Sequence, residues 1–93
     1  MTTQGDVQRK PSAELREKIH DLPPSAKLVA LVLQNNGELT QREISNESLL
    51  PNRTVRLALE NLQEVDAVDS RTSLRDARKR LYSLSLQSDT ESD

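Results

Sequence analysis

The stretch from Thr40 to Val68, TQREISNESLLPNRTVRLALENLQEVDAV, limits what this chain can fold into more than any other. Thr40 and Glu43 have the spacing of a capping box, in which the threonine hydroxyl accepts from the Glu43 N–H and the glutamate side chain returns to the Thr40 N–H. A helix over about 41–47 follows, with Ile44 facing inward. Ser48-Leu49-Leu50 is a short linker whose two leucines read as core residues. Pro51 suits a first helical position, because its missing N–H would be unpaired there anyway. Beyond it Val55, Ala58, Leu59, Leu62 and Val65 recur at spacings of three and four, the inward stripe of an amphipathic helix over about 51–64. Asn52, Arg53 and Arg56 fall near the start of this second helix.

The flanks read as support for that pair. Met1 to Lys10 is polar and without apolar period, so it is expected to be disordered. Ser12 can cap a helix over about 13–20 that carries Leu15 and Ile19 at i,i+4. Asp21-Leu22-Pro23-Pro24 stops it. The segment over about 25–36 holds Leu28, Val29, Leu31, Val32 and Leu33 and predicts a central, largely buried helix. Gly37 suits the left-handed residue that follows a helix end, and Glu38 and Leu39 can form a very short strand. After Asp66 the period changes from helical to alternating, predicting strands over about 67–71 and 79–86 around a seven-residue basic loop. Leu74, Ala77, Leu81 and Leu84 also fit a helical spacing, but the strict alternation of YSLSL favours the hairpin. The fold class is mainly α with a small β-hairpin (α+β), arranged as one domain over 11–86 with an acidic tail over 87–93 expected to be disordered.

Composition narrows the class of function. Ninety-three residues suit a single small domain, and 33% hydrophobic residues with 1% aromatics leave a thin core of Leu, Val, Ile and Ala. Such a core invites dimerisation, with Leu15 and Ile19 as the expected contact. There is no Cys and only one His, which excludes disulfides, thiolate metal sites and histidine clusters. No nucleophile motif, phosphate loop, metal-ligand spacing or ligand pocket signature is present, so an enzyme, a cofactor and a small-molecule ligand are not expected. No apolar run approaches a membrane span and no hydrophobic signal segment opens the chain, which points to a cytoplasmic protein.

The net charge of −2 counts against an acidic partner until its distribution is read. Arg71, Arg75, Arg78, Lys79 and Arg80 concentrate in the hairpin region, and Asp89, Glu91 and Asp93 lie in the tail. The two helices have the sequence shape of a helix-turn-helix, whose second helix fits the major groove of duplex DNA. Asn52 can pair with adenine, Arg53 and Arg56 with guanine or phosphate, and Thr54 with a phosphate oxygen. Leu57 lies off the core stripe and is expected to be exposed, against a thymine methyl or another protein. Gln41 and Arg42 are placed to meet the DNA backbone, and Arg71, Arg75, Arg78 and Lys79 to grip phosphates or reach the minor groove. Each arginine has the plain alternative of a solvated surface residue, and Arg56 with Glu60 of an i,i+4 pair.

LTQREIS, LPNRTVRLALENLQEVDAV and RLYSLS together resemble the winged helix-turn-helix superfamily, in particular the MarR-like and TrmB-like regulators of archaea and bacteria. The resemblance covers roughly 22–86. It implies a homodimer that binds double-stranded DNA and regulates transcription by occupying an operator. It also places Asn52, Arg53, Thr54 and Arg56 at bases or nearby phosphates, and Arg75 with its neighbours in the wing. Two departures stand out. Asp66 occupies the place where the family usually has a left-handed glycine. Glu60, Glu64, Asp66 and Asp69 line the exit of the second helix, confining DNA contact to its first turn and a half and keeping open the alternative of a protein–protein interaction module in a transcription or replication assembly.

Overall fold

The capping box forms as the Thr40–Glu43 spacing requires: the Glu43 N–H reaches Thr40 Oγ1 at 3.2 Å and the Thr40 N–H reaches Glu43 Oε1 at 2.9 Å. In the computed structural model, which describes residues 13–85, the elements in order are α1 (Ala13–Ile19), α2 (Pro24–Asn36), β1 (Leu39–Thr40), α3 (Gln41–Ser48), α4 (Asn52–Glu64), β2 (Val68–Thr72) and β3 (Arg80–Leu84). The expectations for both tails, for Ser12 as a cap and for Leu86 in the last strand lie outside the described residues. The strands form one antiparallel sheet of order β1-β3-β2, with Leu39 opposite Tyr82 and Val68 opposite Leu84. The region after Thr72 is thus a hairpin and not a helix. No helix of the described residues is long and apolar enough to cross a membrane.

The core is built from one stripe of each helix. Ala26, Val29, Ala30 and Leu33 of α2 meet Ile44 of α3 and Val55, Ala58, Leu59 and Leu62 of α4, with Ala67 and Val68 closing the sheet side. Tyr82 and Leu84, on the same face of β3, pack against this cluster half-buried.

Four local expectations are corrected. Leu15 and Ile19 are 0% and 6% exposed and belong to this core, so neither is available as a dimer contact. The α1 stripe is needed to cover the other helices, whose own small residues leave the core thin. In α2 only one face is buried: Leu28 is 39% exposed, because a helix on the outside of so small a domain has one neighbour-facing stripe. Leu49 is 89% exposed, since it takes the left-handed conformation (φ 62°) that ends α3 and turns its side chain out, whereas Leu50 packs partly inward. Pro51 is the residue before α4 and not its first turn; its ψ of 153° is extended, and Asn52 starts the helix.

The other turns follow their sequence signals. Gly37 has φ 87° and its N–H caps α2 on the Leu33 carbonyl at 2.8 Å. Asp66 takes φ 58° after α4. The Ala67 N–H reaches the Leu62 carbonyl at 2.8 Å and the Asp66 N–H the Gln63 carbonyl at 3.0 Å, which satisfies two of the last carbonyls of α4, and Lys18 of α1 donates from Nζ to the Asp66 carbonyl just beyond the helix at 2.8 Å.

Candidate nucleic-acid interface

The start of α4 is held by the turn before it. Ser45 Oγ donates to the Leu50 carbonyl at 2.5 Å and the Leu50 N–H reaches Ser48 Oγ at 3.3 Å, which fixes the exit from α3. Pro51 offers no side-chain cap, so the first N–H groups of α4 point outward without a capping partner. Burial of Val55, Ala58, Leu59 and Leu62 turns the opposite face out, and there Asn52, Arg53, Arg56 and Leu57 are exposed, Leu57 by 54%. Thr54 sits half-buried at the edge. Gln41 donates from Nε2 to the Asn52 carbonyl at 3.4 Å, tying the first residue of α3 to the first residue of α4.

The hairpin tip, residues 73–79, is closed by its own hydrogen bonds. The Ser73 N–H reaches the Lys79 carbonyl at 2.9 Å and the Lys79 N–H the Asp76 carbonyl at 2.9 Å. Ser73 Oγ accepts from the N–H groups of Arg75 and Asp76 at 3.2 and 3.4 Å. Asp76 Oδ1 accepts from the Arg78 N–H at 3.0 Å and from Arg78 Nε at 3.3 Å. These bonds from Arg78, the backbone one foremost, hold the Asp76 carboxyl below its ordinary pKa. The expected wing cations therefore divide. Arg78 is engaged with Asp76, and Arg71 donates bidentately to Glu38 at 2.6 and 2.8 Å. Arg75 and Lys79 are exposed at the tip.

Pairing of β1 with β3 sets Thr40 opposite Leu81 and so brings the start of α3 against the tip end of the hairpin. Between them lies an open cleft of about 290 Å³ lined by Thr40, Gln41, Arg42, Arg78, Lys79, Arg80 and Tyr82. Arg80 is a cation that sequence reasoning left out of the site. Its strand alternation places it on the Tyr82 face but beyond the core edge, which was the available signal; it donates to Ser70 Oγ at 3.3 Å.

Two helices at a tight turn, followed by an antiparallel hairpin pinned to a short strand before them, recur in solved structures. A probable transcriptional regulator from Pseudomonas aeruginosa is similar at 23% identity and a TM-score of 0.68, over 78% of this chain and 57% of that one. The fold is a winged helix-turn-helix. A MepR variant from S. aureus bound to an oligodeoxyribonucleotide is similar at 20% identity and a TM-score of 0.65, over 76% of this chain and 54% of that one. Reduced AbfR bound to DNA is similar at 22% identity and a TM-score of 0.63, over 75% and 52%. This chain thus spans about half the length of the structures it matches. No protein-family model and no curated protein matches the sequence. In that fold α4 takes the position of the second, recognition helix and β2–β3 that of the wing. The resemblance read from LTQREIS and RLYSLS holds at the level of the fold.

Proposed function

We propose that this protein binds double-stranded DNA sequence-specifically and regulates transcription by occupying an operator, as MarR-like regulators do. The observation that carries this reading is one continuous polar surface. It runs from Asn52, Arg53 and Arg56 on the recognition helix through Gln41, bonded to Asn52, to Arg42 and the cleft it shares with Lys79 and Arg80 of the wing. Such a layout suits a duplex, whose major groove takes α4 while flanking phosphates meet the cations beside it. Asn52, Arg53 and Arg56 read base edges or adjacent phosphates, Leu57 meets a thymine methyl, and Thr54 bonds a phosphate oxygen. Arg42, Arg75, Lys79 and Arg80 supply backbone contacts, whereas Arg71 and Arg78 position the wing through Glu38 and Asp76.

The active form in this reading is a homodimer in the cytoplasm, joined through a surface other than Leu15 and Ile19. Sedimentation equilibrium is expected to show a dimer; a monomer with and without DNA removes that part. The half-exposed Leu57 and the fully turned-out Leu49 favour a second reading, a protein-interaction module. NMR titration with a mixed-sequence duplex separates the two. Shifts centred on Asn52 to Leu57 that vanish in an Arg53→Ala, Arg56→Ala double variant support DNA, and indifference to that variant at low and moderate salt rejects it.

A further inference from the structure

We propose that Leu74 is an apolar wedge: on the DNA-binding reading above, the wing tip enters the minor groove beside the operator and Leu74 presses between neighbouring bases while Arg75 and Lys79 hold the flanking backbone. Leu74 is 93% exposed, the most exposed large hydrophobic residue among those described. A lone surface leucine is ordinary by itself. What sets this one apart is its mounting. Ser73, directly before it, is fixed to Lys79 across the hairpin, and the Ser73 hydroxyl accepts from the backbone of both Arg75 and Asp76 directly after it. Leu74 is therefore held out on a turn closed on both sides by hydrogen bonds.

The surroundings decide what it can meet. Within the tip the charged neighbours are Arg75, Arg78 and Lys79 against Asp76 alone, and Asp76 is already engaged by Arg78. A protein partner would be expected to match a contiguous apolar patch, and the nearest apolar side chain in the same groove, Leu81, is half-buried. The same groove also holds Arg71 and Glu43, whose side chains are taken up by Glu38 and by the Thr40 N–H, which leaves Arg75 and Lys79 as the charges beside Leu74, and an apolar side chain flanked by such cations suits a polyanion with an apolar interior. Duplex DNA seen from the minor groove is such a partner: phosphates line the rim, and stacked bases form a floor that apolar side chains can part. The cost of parting them is least at pyrimidine–purine steps, so the wedge carries a sequence preference without any hydrogen bond to a base.

The test is selection of duplexes from a randomised pool by the wild-type protein and by Leu74→Ala in parallel. Leu74 is exposed, so the substitution leaves the fold intact, and circular dichroism checks this. Both proteins are expected to recover the same central sequence, set by α4, while only wild type enriches a pyrimidine–purine step in the flank. On the recovered duplex, 2-aminopurine at that step is expected to brighten on wild-type binding and not on Leu74→Ala binding, with affinity about tenfold weaker and the salt dependence unchanged, since no phosphate contact is lost. Recovery of one central sequence with identical flanks, or equal 2-aminopurine signals, overturns the wedge and leaves DNA binding standing. Recovery of no sequence by either protein overturns the DNA-binding reading and the wedge with it. A change in sedimentation of Leu74→Ala with no change in flank preference assigns Leu74 to a protein contact and overturns the proposal.

Discussion

Arg71 and Glu38, 33 positions apart, are joined by two hydrogen bonds, from Nε to Oε2 at 2.6 Å and from Nη2 to Oε1 at 2.8 Å. Glu38 stands just before β1 and Arg71 lies in β2, the two edges of the sheet, so the pair reaches across the central strand β3. It locks the wing to the strand that leads into α3. Exposed pairs of this kind add little to global stability, but a bidentate geometry fixes orientation. Its consequence is therefore expected in the wing and not in the melting temperature.

Hydrogen bonding from Arg71 lowers the Glu38 pKa from its ordinary 4.5; desolvation opposes it, and the Arg71 charge adds a smaller depression. A depressed carboxylate contributes its tether above the ordinary value and loses it as pH falls through the lower, folded one. Arg71 side-chain resonances are expected to hold their bonded shift through pH 4.5 and to lose it only as pH falls further, through the lowered folded value. Glu38→Gln is expected to show the unbonded shift at neutral pH and faster exchange of wing amides, with α4 amides unchanged. Retention of the bonded shift well below the folded pKa would sink the assignment.

Leu49 combines a left-handed backbone with 89% exposure, two costs with little packing return among the described residues. Leu49→Gly removes the steric strain of a side chain at positive φ and is expected to raise stability by roughly 0.5–1 kcal/mol. Urea denaturation measures it, and a lower midpoint would show that Leu49 packs in a way its exposure conceals.

Leu62 is fully buried where α4 meets α2 and the sheet. Leu62→Ala is expected to cost about 2–5 kcal/mol, a large share of what so small a domain possesses. Thr40→Ala removes one arm of the capping box and is expected to cost about 1 kcal/mol. The order of the two in thermal denaturation is the check, and a milder Leu62→Ala would contradict the core described above.

The division of the cations is testable by salt. Arg42→Ala and Lys79→Ala are each expected to reduce the slope of log affinity against log salt for a mixed duplex by about 1, uniformly across sequences. Arg71→Ala is expected to leave that slope nearly unchanged, because its charge is already matched by Glu38. Equal losses of slope in all three variants would mean that the Glu38 tether opens on binding.

What the sequence determined by itself was most of what local backbone chemistry carries. The Thr40–Glu43 spacing, the positive-φ residues Gly37 and Asp66 and the Val55 to Leu62 stripe set the helices to within a residue or two, since caps, turns and periodicity act over four residues or fewer. The exposed Asn52, Arg53, Arg56 and Leu57 followed from the same stripe, being what lies opposite it. Only the tertiary structure decided the rest. Leu15 and Ile19 read as a spare apolar face, but packing against the other helices consumes it. Leu49 read as core by composition, yet the turn's geometry ejected it. Arg71 and Arg78 read as free cations alongside Arg75 and Lys79 until Glu38 and Asp76 took them up, and Arg80 joined Arg42 only through the pairing of β1 with β3. Charge at a site depends on neighbours brought together by the fold, over separations at which the linear order of residues carries no distance.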